Sequence, residues 1–481
     1  MRKSNLLLLT LLITISISAF GQECNCVENF NWTRKTFEEN DAGFQYILDQ
    51  KGQDAYALLN QKIEENAKNA KTLSECQNVI YEWSKFFRTG HFGFTIVKSN
   101  YYNQSTVIDT KKIKEQPMIK VDYAKFEKRI NSIATPTLEG IWNDGTYKVG
   151  IVETKEGYKG FIINGGNTNW EQNQLKFIIS NNKQKANIWI RDFSKKEDLK
   201  VDLIGENLIN IGNIMYLKRE SKNYEDTQVI KDYIRFLYAG NKPYYQKLSE
   251  KTSYIRIPAF DLDYRKLIDS VISANSNNIE KAHNLIVDVR YNGGGADISY
   301  EKLIPFLYTN PIRTVGVQHL STPLNNKMML SLSENENFDK EHQTAYKEAY
   351  EKLNQNIGKF ISLSDDIVKV KQLDKVLPFP KNIAIIINHR NASTTEQFLL
   401  AAKQSKKAKL FGTTTSGALD ISNMNDVVSP DGNFELSYCR SKSYRIPGMT
   451  IDGKGIQPDY YLDESIPDKE WTEYIRKIIE E

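Results

Sequence analysis

Apolar positions change their spacing twice along this 481-residue chain. Between about residues 27 and 90 they recur at three- and four-residue intervals, which lines them along one helix face. The spacing predicts helices over Thr36–Gln50, Ala55–Ala67 and Thr72–Phe87, with Thr72 or Ser74 as the start signal of the last. A polar, Tyr/Asn-rich connection follows Lys98. From about Leu138 to Lys218 the period becomes two, as in Tyr147/Val149/Ile151, Phe161/Ile163, Phe177/Ile179, Ile188/Ile190 and Val201/Leu203. Turn signals at Asn143-Asp144-Gly145 and Asn164-Gly165-Gly166 separate these runs. Short strands at such spacing predict a small antiparallel barrel or sandwich. From about Tyr224 onward strands and helices alternate, which is α/β architecture. Strands are expected at Tyr254–Pro258, Leu285–Val289, Arg313–His319 and Ile383–Asn388. Helices are expected at Asp263–Ala274, Ile298–Leu307 and Thr395–Lys406. A charged insertion, 331–361, carries a helix over Lys340–Ile357 that reads as a solvated surface helix, with a lid over a cleft as the functional alternative.

The chain is thus a multidomain α/β (α+β) protein. Its expected parts are a leader (1–21), a helical domain (22–98), a linker (99–137), a β-rich domain (138–220) and an α/β domain (221–481). The leader has Arg2 and Lys3, then an uncharged run Leu6–Phe20, then Ala19-Phe20-Gly21. That order is a secretory signal peptide, and its apolar run is shorter than the ~20 residues of a spanning helix. Residues 21–23 (Gly-Gln-Glu) do not form a lipid-attachment run before Cys24. The expectation is export to a periplasmic or extracellular location without a stable membrane anchor. The formal charge of +4 falls to +2 once Arg2 and Lys3 are removed, and lysines and acids are interspersed. No basic block argues for a nucleic-acid partner. The cysteines at 24, 26, 76 and 439 allow a bridge from Cys76 to either Cys24 or Cys26 in an oxidising compartment. Cys24 and Cys26 lack a second pair at zinc-like spacing, so no metal site is expected.

Two stretches carry candidate chemistry. Leu285–Gly295 (LIVDVRYNGGG) is an apolar strand entering three glycines, Gly293, Gly294 and Gly295. Glycines there let backbone approach a ligand and turn N–H groups outward. Neither a dinucleotide nor a phosphate fingerprint is present, so no cofactor is expected. Asp288 and Arg290 flank Val289 and read as a structural pair that positions the loop. Ile385–Gln397 (IIINHRNASTTEQ) is a second apolar strand, running to Ser393 at the start of a helix. Ser393 with Glu396 three residues on fits a capping box. The same serine stands where a central strand turns into a helix, at the strand edge where open α/β sheets bind ligands. In the β-rich stretch, by contrast, there is no His or Cys, and Trp142, Trp170 and Trp189 read as core.

Taken in order, Leu285–Gly295, Asn391–Glu396 (NASTTE), Phe411–Gly417 (FGTTTSG) and Gly455–Asp459 (GIQPD) resemble the S41 peptidases, which comprise the C-terminal-processing and tricorn-like proteases. The resemblance covers roughly residues 225–465. It implies a ClpP/crotonase-like catalytic core, a peptide or protein substrate, Ser393 as nucleophile, and an oxyanion hole from the N–H of Thr394 with one from Gly293–Gly295. The processing branch uses a lysine after the Gly-x-x-T-x-G segment, and that slot is Ala418 here. The tricorn-like branch uses a histidine and an acid instead. Arg88-Thr89-Gly90-His91 resembles its histidine segment, with Gly90 where that branch has serine, and Asp452 falls where it has glutamate. The triad implied is Ser393, His91 and Asp452. No PDZ-like segment is recognisable, and the β-rich stretch occupies its usual place. The alternative is an inactive S41-fold peptide- or ligand-binding protein; a crotonase-like acyl-CoA enzyme shares only the two-loop logic.

Overall fold

A computed structural model describes residues 24–97, 110–240, 242–336, 338–463 and 465–481. The expected leader lies outside the described residues. At the N-terminal end, helices Cys26–Asn40, Phe44–Lys51, Gln53–Asn69 and Leu73–Ser84 pack their apolar faces together. The expected single helix Thr36–Gln50 is interrupted at Asp41–Gly43, where the Asp41 carboxylate bonds the Gly43 N–H and the Arg88 guanidinium instead of facing water. Thr72, not Ser74, caps the fourth helix, in a reciprocal capping box with Glu75. Phe30, Phe37, Trp83 and Phe87 form an aromatic centre in which Trp83 meets the other three edge-to-face and Phe37 and Phe87 are tilted, each ring fully or nearly fully buried.

Cys76 pairs with Cys26 across 50 residues, and Cys24 is left as a half-buried thiol. Closing a loop of that length is worth about 4 kcal/mol in the chain-entropy account. Reduction, or Cys26→Ser, is therefore expected to lower the midpoint of thermal unfolding markedly. An unchanged midpoint would mean that the aromatic centre alone holds these helices.

The alternating stretch closes into an eight-stranded antiparallel barrel from Gly140–Asn143 to Met215–Arg219, with Trp142 paired to Arg219 at the closure. Its interior is apolar, with Val149, Ile151, Phe177, Ile188, Ile209 and Leu217 inaccessible to solvent. The expected linker contains helices Thr110–Glu115 and Tyr123–Ser132. Phe126 and Ile130 of the second pack on Phe161 of the barrel wall, which is why this polar-looking segment is ordered.

The site is built on two sheets. The first has six strands in the order Tyr244–Lys247, Thr252–Arg256, Asn284–Asp288, Asn382–Ile387, Ala408–Gly412 and Tyr460–Tyr461, parallel except for the first. Asn284–Asp288 and Asn382–Ile387 lie side by side at its centre, buried on both faces, which explains their unbroken apolar runs. The second sheet joins Gly93–Ile96, Phe434–Ser443, Val317–Leu320 and Phe360–Ser362, with Ile421–Val428 also on Phe434–Ser443. The expected strand Arg313–His319 is in fact two, Ile312–Val315 and Val317–Leu320, in different sheets on either side of Gly316. The expected helix Ile298–Leu307 begins as a 3-10 turn, Asp297–Leu303, before a short α-turn containing Pro305. In the insertion, helix Lys340–Asn354 packs on helix Pro323–Ser333, burying Leu353. Among the described residues no helix is long and apolar enough to cross a membrane.

Candidate active site

The two central strands end side by side, and their loops are stitched together. Asn391 Nδ2 donates to the carbonyls of Val289 and Asn292. Asn388 Oδ1 accepts from the Tyr291 N–H at 3.0 Å, and Thr395 Oγ1 donates to Asn292 Oδ1 at 2.7 Å. The glycines are needed for contact as well as conformation. Gly294 has φ +110°, and a Cβ there would lie 2.7 Å from Ser393 Cβ. Gly295 has φ +141°, and its Cβ would fall 2.2 Å from the Phe260 carbonyl carbon. Gly294 thus brings the loop against the serine at a distance no side chain permits, Gly295 packs equally closely on the Phe260 backbone, and a Cβ on Gly293 would meet nothing within 4 Å.

The three glycines differ in what their amides do. The Gly294 N–H donates to Asn292 Oδ1 at 3.0 Å, so it is committed inside the loop. Among the described residues the N–H groups of Gly293, Gly295 and Thr394 have no protein partner. Thr394 Oγ1 donates to the Gly295 carbonyl at 2.8 Å and ties the helix start to the loop.

Ser393 does not cap its helix. Its backbone is at φ +56°, ψ −128°, and its side chain accepts no bond from the first turn. A non-glycine residue in that region costs of order 1–3 kcal/mol and is held there only by its surroundings. The holding contacts are the Ser393 N–H to the Ala418 carbonyl at 2.8 Å and the Gln397 N–H to the Ser393 carbonyl at 3.0 Å. Glu396, the other half of the expected capping box, turns the opposite way. Its fully buried carboxylate accepts from Thr415 Oγ1, the Gly417 N–H at 2.7 Å and the Ala418 N–H at 2.8 Å. It therefore shapes the loop to which Ser393 is bonded.

His91 lies between helix Leu73–Ser84 and strand Gly93–Ile96, also with positive φ, +54°. Its carbonyl accepts from Arg88 Nε at 3.1 Å and Nη2 at 2.8 Å, and the Cys439 thiol lies 3.4 Å away. Arg88 is in turn paired with buried Asp41. The ring Nδ1 is 2.5 Å from the Ile421 carbonyl oxygen. A carbonyl only accepts, so Nδ1 carries the proton and Nε2 keeps the lone pair of a base. Burial pushes the ring below its usual pKa, against the opposing effects of the Ile421 carbonyl and the Asp452 charge.

The expected direct pairing of Asp452 with His91 is replaced by one mediated through the backbone. Asp452 Oδ1 accepts from the N–H groups of Leu419 and Asp420, each at 2.6 Å, and Oδ2 from Ile421 at 3.1 Å. The acid is spent on the turn that presents the Ile421 carbonyl, and that carbonyl holds the imidazole. Burial raises the Asp452 pKa while these backbone donors oppose the rise. Ala418, in the slot of the other branch's lysine, links the two halves. A Cβ on Gly90 would lie 2.7 Å from Ala418 Cβ, and the Ala418 carbonyl holds Ser393. Gly90, immediately before His91, is small because Ala418 fills that space.

Glu396, Asn292, Asn391 and Ile421 are the supports that sequence reading missed. Asn292 and Asn391 lay inside the quoted motifs, but nothing in the pattern revealed their cross-loop partners. The group of potential metal ligands among the described residues is Cys24, Cys26 and Cys76, two of them joined as the disulfide. Arg290 and Asp288 behave as the structural pair expected, with Arg290 also bonded to Asp468 at 2.9 Å.

Residues 251–462 match the family model described as Peptidase family S41. A probable CtpA-like serine protease of Staphylococcus haemolyticus is 36% identical over 77 residues, which are 16% of this chain and 15% of that protein. A probable CtpA-like serine protease of Staphylococcus aureus is 32% identical over 100 residues, 21% of this chain and 18% of that protein. The matched segments thus span less than a fifth of either staphylococcal protein. Among solved structures, mature CPAF aligns over 95% of this chain and 96% of its own with a TM-score of 0.50 at 12% identity, a likeness of fold.

Proposed function

We propose that this chain, whose residues 251–462 match the model of peptidase family S41, is an exported serine-type peptidase of that family. The observation that carries the reading is Ser393 itself. It is held at positive φ with its hydroxyl released from helix capping, beside a glycine loop whose Gly293 and Gly295 amides, like that of Thr394, are uncommitted. A strained serine with free amides beside it suits attack on a carbonyl and stabilisation of the resulting oxyanion.

In this mechanism His91 Nε2 takes the Ser393 hydroxyl proton as Oγ attacks the peptide carbonyl. The tetrahedral oxyanion accepts bonds from the Thr394 N–H and from Gly293 or Gly295, while Gly294 supplies closeness instead of a donor. The imidazolium then protonates the leaving amine, and water hydrolyses the acyl-enzyme by the reverse sequence. Asp452 is a positioning residue: it fixes the peptide whose carbonyl sets the tautomer of His91. Its charge also favours the imidazolium that forms. Export is supported by the leader-like N-terminus and by the Cys26–Cys76 bridge, since such bonds persist in oxidising compartments.

One observation favours the rival, a peptide-binding protein without turnover: His91 leans on a carbonyl where a triad would have a carboxylate. A fluorophosphonate probe with mass mapping separates the two. Labelling of Ser393 together with cleavage of casein or a peptide library supports the peptidase, and neither outcome over a broad pH range supports the rival. The pH profile is a further expectation. Because burial lowers the His91 pKa, the ring stays neutral, and so a base, to lower pH than a free imidazole of pKa about 6.5. The acid limb of kcat/KM should have its midpoint below 6.5; a midpoint above it would assign the base elsewhere.

A further inference from the structure

The Asp41–Gly43 break ends the first helix with an acid that the mechanism above does not use. Asp41 is 3% exposed, and its carboxylate is surrounded by donors. Oδ1 accepts from the Gly43 N–H at 2.9 Å and from Arg88 Nη1 at 2.8 Å. Oδ2 accepts from Arg88 Nη2 and from the Cys439 N–H at 3.0 Å. An ionised carboxylate has about four lone-pair sites, so this one is saturated.

The donors lead to both attachments of His91. Arg88 turns the rest of its fork onto the His91 carbonyl, through Nε at 3.1 Å and Nη2 at 2.8 Å. That grip holds the backbone of a residue at φ +54°. Cys439 lies opposite Met424 in the pairing of Phe434–Ser443 with Ile421–Val428, the strand whose first carbonyl holds the imidazole Nδ1. The Cys439 carbonyl also accepts from the Ala42 N–H at 2.8 Å, so the break grips this strand on both sides of one residue. Gly43 permits the approach: a Cβ there would stand 2.9 Å from Ile421 Cγ2 and 3.1 Å from Arg88 Nη1. One carboxylate thus fixes the backbone of His91 through Arg88 and the acceptor of its ring through Cys439. Arg88 disfavours a proton on the ring and Asp41 favours one, so the two charges act on it in opposite senses.

We propose that Asp41 is a positioning residue for the base: with Arg88 it sets where the imidazole stands and keeps Nδ1 on the Ile421 carbonyl. For its bearing on catalysis the proposal rests on His91 as the base. Loss of Asp41 should then lower kcat and leave KM unchanged, because a displaced base slows the chemistry without altering what binds the substrate.

Asp41→Asn puts an NH2 where an oxygen met two donors, so either Gly43 and one arm of Arg88 or Cys439 and the other lose their acceptor. The rate of fluorophosphonate labelling and kcat are expected to fall about 100-fold, the cost of a 1 Å misplacement. A ring signal gives a readout that stability alone does not move. In Ser393→Ala carrying isotope-labelled histidine, the His91 Nδ1–H bonded to Ile421 should give a slowly exchanging proton resonance, identified by its absence from His91→Ala. Adding Asp41→Asn should abolish that resonance at temperatures where circular dichroism shows the fold intact. Removing one member of a buried ion pair can unfold a protein, so Gly43→Ala is the second variant. It keeps every charge, presses on Ile421 and Arg88, and should weaken both the resonance and the labelling rate. A folded variant that keeps the resonance and the wild-type labelling rate overturns the proposal. If wild type neither labels nor cleaves but the resonance depends on Asp41, the catalytic reading has failed and the positioning of the ring stands. If the resonance survives in folded Asp41→Asn, the positioning has failed whatever the catalytic result.

Discussion

Ser393→Ala is expected to take up no fluorophosphonate, and peptide cleavage should fall roughly 10⁴- to 10⁶-fold, the range seen when a catalytic nucleophile is removed. His91→Ala should cost about as much, because the hydroxyl is a weak nucleophile without a base to accept its proton. The two losses should not add. Once either member is gone, the residual rate comes from the oxyanion donors and substrate binding, so the double variant should match the singles. Asp452→Ala should cost less, because it releases the turn at Leu419–Ile421 without removing a proton acceptor. Single-turnover rates on one peptide across these four proteins give the comparison. A His91→Ala protein that retains most of its activity would assign the base to another group and leave Ser393 standing. A Ser393→Ala protein that still cleaves would end the serine mechanism.

The second large effect is on stability. Asp288→Ala is expected to destabilise the fold by about 3–5 kcal/mol, the cost of stranding a buried charge. Asp288 is fully buried at the end of a central strand. Its carboxylate accepts Arg290 Nη2 at 2.6 Å, Arg290 Nε at 3.1 Å and the Tyr254 hydroxyl at 2.9 Å, with Arg256 3.8 Å away. Burial disfavours its ionised form, but Arg290 and Arg256 outweigh burial and hold the carboxyl below its usual range. A depressed carboxyl pKa stabilises the fold above the unfolded-state value and loses that contribution as pH falls through the folded value. The Asp288 contribution should therefore be whole at neutral pH and fade only below about pH 4. Denaturant unfolding of wild type and Asp288→Ala at pH 7 and pH 3 checks both points. A loss under about 1 kcal/mol at pH 7 would mean that Asp468 suffices for Arg290. Because Asp288 leads directly into Val289–Gly295, activity should be lost along with stability.

Much of the fold was legible because each element answers to a local period. The apolar runs Leu285–Val287 and Ile383–Ile387, within the expected strands Leu285–Val289 and Ile383–Asn388, read as strands covered on both faces, and they are the two central neighbours of the main sheet. The two-residue alternation across 138–218 required one buried face per strand, and closure satisfied it without leaving an edge. Errors came where a local signal had a distant competitor. The Asp41–Gly43 break looked helical in sequence, but Asp41 is claimed by Arg88, 47 residues away. Ser393 and Glu396 have the spacing of a capping box, yet Ser393 is held by Ala418 and Glu396 by residues 415–418. Capping is worth about 1 kcal/mol, less than several bonds to a buried carboxylate, so the tertiary partners win.

What the sequence determined by itself is the material of the site: a serine at the end of one buried strand, three glycines at the end of its neighbour, and one histidine in a Gly-His step. These follow from chemistry that only certain residue types permit, such as a backbone approach that excludes any Cβ at Gly294. The tertiary structure alone decided how each part is used. It committed the Gly294 amide to Asn292 and left those of Gly293 and Gly295 free. It gave the His91 ring to the carbonyl of Ile421, 330 residues away, and made Asp452 the holder of that turn instead of a partner of the imidazole. The physical reason is that a hydrogen bond is settled by direction and by competition among every donor and acceptor within reach, and those competitors are assembled only when the chain has folded.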